Sequence, residues 1–475
     1  MEKLQELKPI FYPQSIAVVG ASTDMQKAGS QWLRGLLSAG FRGELYPVNP
    51  SGGEILGLKV YPNLRAIPSR LDLVIVCIPR TSVLELLDDC AVKGVSAVQF
   101  FTAGFRETGK PEWIEVEKEM VRRARQGGFR IIGPNCIGVY CPEHRISYGT
   151  SGLLGEAGSV GFVCQSGGHG EKIVRIGLTR DIRFSKVVSL GNSCDLGSAD
   201  FLGYLAVDPK TSVVGIYIEG PQDHRRIFEA IRATSSSKPT VVWRGGRTQP
   251  GARAATSHTG ALAASVSVWS AAMKQAGAIE VQSLEELADT LLLFQKVGHL
   301  GGRSVGIICG LADGGGGEAV LTADACALVG LDVPQFTDEA TQQLRGLLGD
   351  VGSVICNPVD VNQIFGNGQV FQQIIELIVA EPHIDLIVVY ENTDILSSFL
   401  SKETTEEMNG IVIDFRKKRS KPIVVVLPPG SAETGRLEIE DMLSRAGIPV
   451  YPTMERAAKA IRNVYQYFWR VNRTQ

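Results

Sequence analysis

Residues 244–263 read RGGRTQPGARAATSHTGALA and set one histidine, His258, between two small hydroxyl residues, Ser257 and Thr259, directly before Gly260. A neutral imidazole is a good nucleophile and proton carrier near neutral pH, so His258 can accept a transferred group or shuttle a proton. The small residues around it let phosphate or backbone come close, and Arg247 and Arg253 add positive charge. A loop histidine making ordinary hydrogen bonds has the same local sequence. The case for chemistry therefore rests on what other stretches supply.

Three glycine-bearing stretches follow short apolar runs. After residues 15–19 (SIAVV) come Gly20-Ala21-Ser22 and then a helix-like segment from about residue 29. Glycine at a strand-to-helix turn, with free amides at the helix start, suits a phosphate. Gly20 and Gly29 are too far apart for the G-x-G-x-x-G dinucleotide fingerprint. Residues 159–164 (SVGFVC) lead into Gln165-Ser166-Gly167-Gly168-His169-Gly170 and a helix. A hydroxyl and successive glycine amides there match the positive end of a helix dipole, a stronger anion site. His169 reads as a satisfied polar contact in preference to a catalytic group. Residues 304–309 (SVGIIC) lead to Gly314, Gly315, Gly316 and Gly317 before a helix over 318–328. That pattern fits a second anion cradle or a plain flexible loop.

Residues 213–218 (VVGIYI) end in Glu219-Gly220. A carboxylate at the end of a buried strand can accept a histidine ring N–H and leave the other nitrogen free to attack. An exposed loop glutamate fits the same residues. The next apolar run, 239–243, feeds the His258 stretch, which continues into an expected helix over 261–275. Parallel strands would then bring Gln165-Ser166-Gly167, Glu219 and His258 to one rim.

The positioning elements follow from the wider pattern. Apolar runs at 44–48, 73–78, 97–101 and 130–132 alternate with helix-length stretches, which predicts doubly wound parallel sheets of the α/β class. Ligands of such sheets sit beyond the carboxyl ends of the strands. The residues there are Asn49-Pro50, Pro79-Arg80, Thr102-Ala103-Gly104-Phe105 and Gly133-Pro134-Asn135-Cys136. Each group can approach a ligand or simply close a tight loop. The alternation pauses at 139–157, and 298–303 reads as a linker. Three domains are expected, over 1–140, 150–298 and 302–475, in keeping with a chain of 475 residues.

Composition narrows the class. With 44% apolar and 21% charged residues and a net charge of −2, this is an ordinary globular composition, and no long basic run suggests a nucleic-acid or membrane surface. The N-terminal residues lack the apolar core of a signal peptide, and no run reaches membrane-spanning length. Nine cysteines occur singly, without Cys-x-x-Cys or zinc spacing. No metal site is expected in the chain, and a reducing cytoplasm is.

Taken in order, SIAVVGAS, YPVNP, TAGFRETG, GPNCIG, QSGG, SLGN, IEG, GARAATSHTGAL, NPVDV and AGIPVYPTMERA span nearly the whole chain. This set resembles the alpha subunit of ADP-forming acetate–CoA ligase, a nucleoside-diphosphate-forming acyl-CoA synthetase related to succinyl-CoA synthetase. The resemblance implies an N-terminal Rossmann-like coenzyme A-binding domain followed by two flavodoxin-like domains. It implies that His258 becomes phosphorylated, that Glu219 pairs with it, and that Gln165-Ser166-Gly167 holds its phosphate. Gly314–Gly317 would support the phosphate at a second location. Coenzyme A would lie at Gly20, Ala21, Ser22, Asn49, Pro50, Pro79, Thr102, Ala103, Gly104 and Asn135.

The implied reaction joins a small carboxylic acid to coenzyme A, reversibly and with ATP, through phosphohistidine and an acyl phosphate. ATP/ADP and magnesium would sit on a separate beta subunit with an ATP-grasp fold, in an α2β2 heterotetramer. Two positions depart from the family pattern. Ser193-Cys194 follows SLGN where lysine and alanine are usual, and Gly168-His169-Gly170 replaces Ala-Leu-Gly. Two other classes fit parts of the sequence: a non-catalytic coenzyme A-binding regulatory protein, and a nucleotide-cofactor oxidoreductase on the N-terminal sheet. Intact His258 and Glu219 speak against the first. The missing fingerprint speaks against the second.

Overall fold

The computed structural model describes residues 2–220, 223–259, 265–311, 316–349, 354–364, 366–418 and 421–474. It divides into two compact units, Met1–Leu287 and Ala288–Gln475. The first contains two sheets. The N-terminal sheet is built from β1 (Ser15–Val19), β2 (Glu44–Val48), β5 (Leu73–Val76), β6 (Ala97–Phe100) and β7 (Arg130–Ile132), in the order β2-β1-β5-β6-β7 and parallel throughout. A small hairpin, β3 (Glu54–Ile55) with β4 (Leu58–Lys59), follows β2. The continuous apolar runs of β1, β5 and β6 are buried along their whole length, as strands covered on both faces must be.

The second sheet comprises β8 (Gly138–Tyr140), β9 (Val160–Cys164), β10 (Phe184–Ser189), β11 (Val213–Ile218), β12 (Thr240–Arg244) and β13 (Ile279–Val281). Its order is β13-β12-β11-β9-β10-β8, parallel except for β8, which runs antiparallel to β10. The stretch over 139–157, where the alternation pauses, is therefore partly woven into this sheet. The N-terminal helix Glu2–Phe11 also packs on it: the Phe11 ring lies 4.8 Å from that of Tyr204 and 6.0 Å from that of Phe201. Beneath it, Lys186 is fully buried and bonds Asp208 at 2.8 Å.

The second unit holds β14 (Val305–Leu311), β15 (Val359–Asp360), β16 (Leu386–Glu391), β17 (Ile423–Val426) and β18 (Val450–Tyr451), parallel and ordered β15-β14-β16-β17-β18. In the first and third sheets the chain starts at an inner strand and then turns to opposite sides, and in the second it does so from β9, after β8 has been laid at the edge. Crevices thus open at the carboxyl ends of β1/β5, β9/β11 and β14/β16, where ligands of such folds bind. No helix among the described residues is long and apolar enough to cross a membrane.

Candidate active site

At the switch point of the second sheet, β9 and β11 are neighbours in register, with Cys164 opposite Tyr217. The residues that follow them therefore meet. Gln165 Oε1 accepts the backbone N–H groups of Glu219 at 2.6 Å and Gly220 at 3.2 Å, while its Nε2 donates to the Gly220 carbonyl at 3.4 Å. One side-chain amide thus fixes the turn that carries the carboxylate. The Tyr217 phenol donates to Glu219 Oε1 at 2.9 Å. Burial, and then the adjacent charge of Glu219, push the phenol's pKa up, so Tyr217 remains a donor. The Tyr217 ring lies 4.4 Å from Trp243 on β12, and His169 packs against both at 4.6 and 4.9 Å.

Ser166 caps the helix Gly167–Arg180, its Oγ accepting the His169 N–H at 3.4 Å. The cap leaves the preceding turn and the helix start facing the crevice. Tyr148 is buried and donates to the Gly167 carbonyl at 3.1 Å. The fit there is tight enough to require glycine: a Cβ on Gly170 would lie 2.0 Å from the Tyr148 hydroxyl oxygen.

His258 stands in the last turn of a helix, Gln249–Thr259, and not in a loop. Pro250 and Gly251 fall in its first turn, where proline's missing N–H costs nothing. Thr248 receives the Gly251 N–H on its hydroxyl and the Ala252 N–H on its carbonyl, and three alanines carry the helix onward. The His258 side chain, like Gly260 and residues 261–264, lies outside the described residues, and the helix expected over 261–275 is seen as Val266–Gln275. Gly314 and Gly315 also lie outside them. Gly316 caps and Gly317 opens the helix Gly317–Leu328, one residue earlier than the sequence pattern suggests.

On the first sheet, Gly20 adopts φ +95°, and a Cβ on it would lie 2.5 Å from the Cys77 carbonyl oxygen. A Cβ on Gly29 would lie 2.4 Å from the Gly20 carbonyl oxygen, so the helix Ala28–Ala39 rests backbone on backbone against the turn. Ser30 closes it, accepting the Ser22 N–H at 3.0 Å and donating to the Ser22 carbonyl at 2.5 Å. Asn49 ties the next loop in through the Ala21 carbonyl at 2.7 Å, and Thr102 bonds the Ile78 carbonyl at 2.7 Å.

The two rims share an open cleft of about 800 Å³, with Thr102, Ala103 and Asn135 on one wall and Gln165, Ser166 and Gly167 on the other. Gly220, next to Glu219, also faces it. Gly20, Ala21, Ser22, Asn49, Pro50, Pro79 and Gly104 follow strands at the same edge of the first sheet but do not form this cleft's wall. Tyr148 and Tyr217 escaped the sequence reading. Only Tyr217 carried a signal, its position two residues before Glu219 on one face of a strand. The described residues hold no group of three His, Cys, Asp or Glu side chains able to bind a metal.

Comparison with known proteins agrees with this architecture. Residues 14–142 match the CoA binding domain family, and residues 157–294 match the succinyl-CoA ligase like flavodoxin domain. The chain is 35% identical over 470 residues to the Pyrococcus furiosus protein named acetate–CoA ligase [ADP-forming] I subunit alpha, covering 97% of each. It is 33% identical over 451 residues to the II subunit alpha of the same organism, covering 95% of each. Among solved structures, an acetyl-coenzyme A synthetase 1 from Ca. Korarchaeum cryptofilum, determined with phosphate and ADP, superposes with a TM-score of 0.86 at 31% identity, over 98% of this chain and 97% of that one. Fold and site together define the class, the ADP-forming acid–CoA ligases. Within it, the chain belongs to the family of ADP-forming acetate–CoA ligase alpha subunits.

Proposed function

We propose that this chain carries the acid- and coenzyme A-handling half of a reversible acid–CoA ligase, with residues 1–140 binding coenzyme A, 150–298 bearing the phosphohistidine and 302–475 supporting it. The observation that carries this reading is the shared cleft, in which the coenzyme A-side residues Thr102, Ala103 and Asn135 face the anion-binding turn Gln165-Ser166-Gly167. Gly20 and Gly29 let the turn after β1 and the following helix pack backbone on backbone, which sets a helix start at the strand end, where a coenzyme A phosphate would lie. Coenzyme A would supply the thiol that takes the acyl group from an acyl phosphate, with inorganic phosphate as the leaving group.

The chain's own residues do the rest. His258 receives a phosphoryl group and passes it to the carboxylic acid, forming an acyl phosphate. Glu219, held by Gln165 and Tyr217, orients the imidazole and stabilises its cation. The Gln165 N–H is taken by the Tyr217 carbonyl, so amides of Ser166 and Gly167 and the start of the following helix neutralise the migrating phosphoryl charge without reorganising. Gly314–Gly317 would receive the same phosphate at a second position. Nucleotide and magnesium would sit on a beta subunit of ATP-grasp fold, and the subunit names of the Pyrococcus relatives support such a partner. An α2β2 assembly in the cytoplasm completes the reading.

Incubating the chain with acetyl-CoA and radioactive inorganic phosphate should yield an acid-labile, alkali-stable label, whereas radioactive ATP alone should leave it unlabelled. His258→Asn should abolish the label with the circular dichroism spectrum unchanged. Persistence of the label in His258→Asn would move the carrier elsewhere and overturn the reading.

A further inference from the structure

The loop after β10 leaves its own sheet and lies along the edge of the first one. Backbone N–H groups of Asn192, Cys194 and Leu196 donate to the carbonyls of Pro134, Gly133 and Ile131 at 2.9, 2.9 and 3.1 Å. Asp195 receives Arg130 at 2.8 and 3.1 Å and the Ile131 N–H at 2.9 Å. Gly191 makes the approach possible: at φ +52°, its Cβ would lie 2.2 Å from the Asn135 carbonyl oxygen.

The Asn192 side chain reaches further. Its Nδ2 donates to Glu107 Oε2 at 2.6 Å and to Glu117 Oε2 at 2.8 Å. A primary amide has two hydrogens, and here both go to carboxylates on different elements of the first domain. Glu107 in turn accepts the N–H groups of Gly104 at 2.5 Å and Phe105 at 3.1 Å, which shapes residues 102–104. Glu117 is 1% exposed and pairs with Arg106 at 2.9 Å. Burial raises its pKa, the contacts with Asn192 and Arg106 oppose that rise, and the charge of Glu107 adds to it. Without the amide, two carboxylates would face one another with fewer donors, and relief by separation would drag the Gly104 and Phe105 amides along. Asn192, Thr102 and Ala103 all line the cleft.

We propose that Asn192 is a positioning residue for the acyl-transfer half of the reaction. It locks the loop 102–104 on the coenzyme A side to the loop 191–195 beside the anion-binding turn, so that thiol and acyl group meet in one geometry. The proposal rests on the functional reading above.

The test compares Asn192→Ala, Glu107→Gln and their double variant in the full chain, measuring coenzyme A binding by calorimetry and turnover with the partner subunit. Each single variant should raise both Kd and KM for coenzyme A by about ten- to a hundredfold, the scale of a lost hydrogen bond to a charged group. KM for the acid, and phosphorylation of the chain by ATP and the partner, should stay at wild-type values. The double variant should be no worse than the weaker-binding single variant, as for residues acting through one network. Wild-type affinity in a folded Asn192→Ala protein, or an additive double variant, would overturn the assignment. Should Asn192→Ala fail to fold, the coenzyme A affinity of Glu107→Gln decides alone, with wild-type affinity counting against the proposal. A wild-type chain that binds no coenzyme A would refute the functional reading itself.

Discussion

The Glu219 carboxylate is held at both ends, its backbone by the Gln165 amide and one side-chain oxygen by the Tyr217 phenol. The phenol is the more exposing test, because removing it alters the aim of the carboxylate without altering its charge. Tyr217→Phe keeps the ring that packs against Trp243 and His169 and deletes only the donor. Turnover should fall about ten- to a hundredfold, the worth of a hydrogen bond to a charged group, with coenzyme A affinity unchanged. Steady-state rates with the partner subunit, set beside binding isotherms, check this. Glu219→Gln should cost more, roughly 10²–10⁴-fold in turnover, the usual scale for an orienting or acid–base group. A Tyr217→Phe loss equal to that of Glu219→Gln would mean that the phenol does more than aim.

Helix starts are the elements on which the site depends, and the helix Gly167–Arg180 shows how narrowly one can be specified. Gly168 and Gly170 stand two residues apart in its first turn, yet their surroundings differ. A Cβ on Gly168 would meet nothing within 4 Å, whereas one on Gly170 would collide with the buried Tyr148 hydroxyl. Gly168→Ala should therefore stabilise the first unit by roughly 0.5–1 kcal/mol, through lower chain entropy in a helix. Gly170→Ala should destabilise it by about 1–3 kcal/mol, the usual cost of forcing a methyl group into a packed site. Thermal melts of the two variants should move in opposite directions from the wild type. Equal shifts would show that the Tyr148 contact yields easily.

At the scale of the whole molecule, the second unit carries a titration of its own. Glu391 ends β16 at a switch point, opposite Leu311 of β14, and is 1% exposed. Burial pushes its carboxyl up to about 7, against a smaller opposing contribution from Asn409. A carboxyl with a folded-state pKa above its unfolded value binds its proton more tightly when folded. Its contribution is complete below about pH 4.5 and is lost as pH rises toward 7. At 1.36 kcal/mol per pKa unit, the second unit should lose roughly 3 kcal/mol across that window. Glu391→Gln, which keeps the shape without the charge, should flatten the pH dependence. Denaturant unfolding of both proteins between pH 4.5 and 8, followed through the transition of the second unit, measures the difference.

The sequence by itself determined the class of the fold and the identities of the groups offered for chemistry. Continuous apolar runs such as SIAVV and VVGIYI can be stable only when covered on both faces, so parallel sheets follow from local composition, and glycine after a strand announces the turn. What it could not determine was which strand ends meet. Gln165 and Glu219 are 54 positions apart, and their contact exists only because β9 and β11 pair across the switch point of their sheet. The same holds for Asn192 and Glu107, brought together by a loop that leaves one sheet to run along another. The helix around His258 was not legible either: a loop histidine fitted the same residues, and only the fold shows that Pro250 and Gly251 stand harmlessly in a first turn. Tyr148 gave no signal at all. Its role comes from close packing against Gly170, and close packing between distant segments is a property of the folded chain alone.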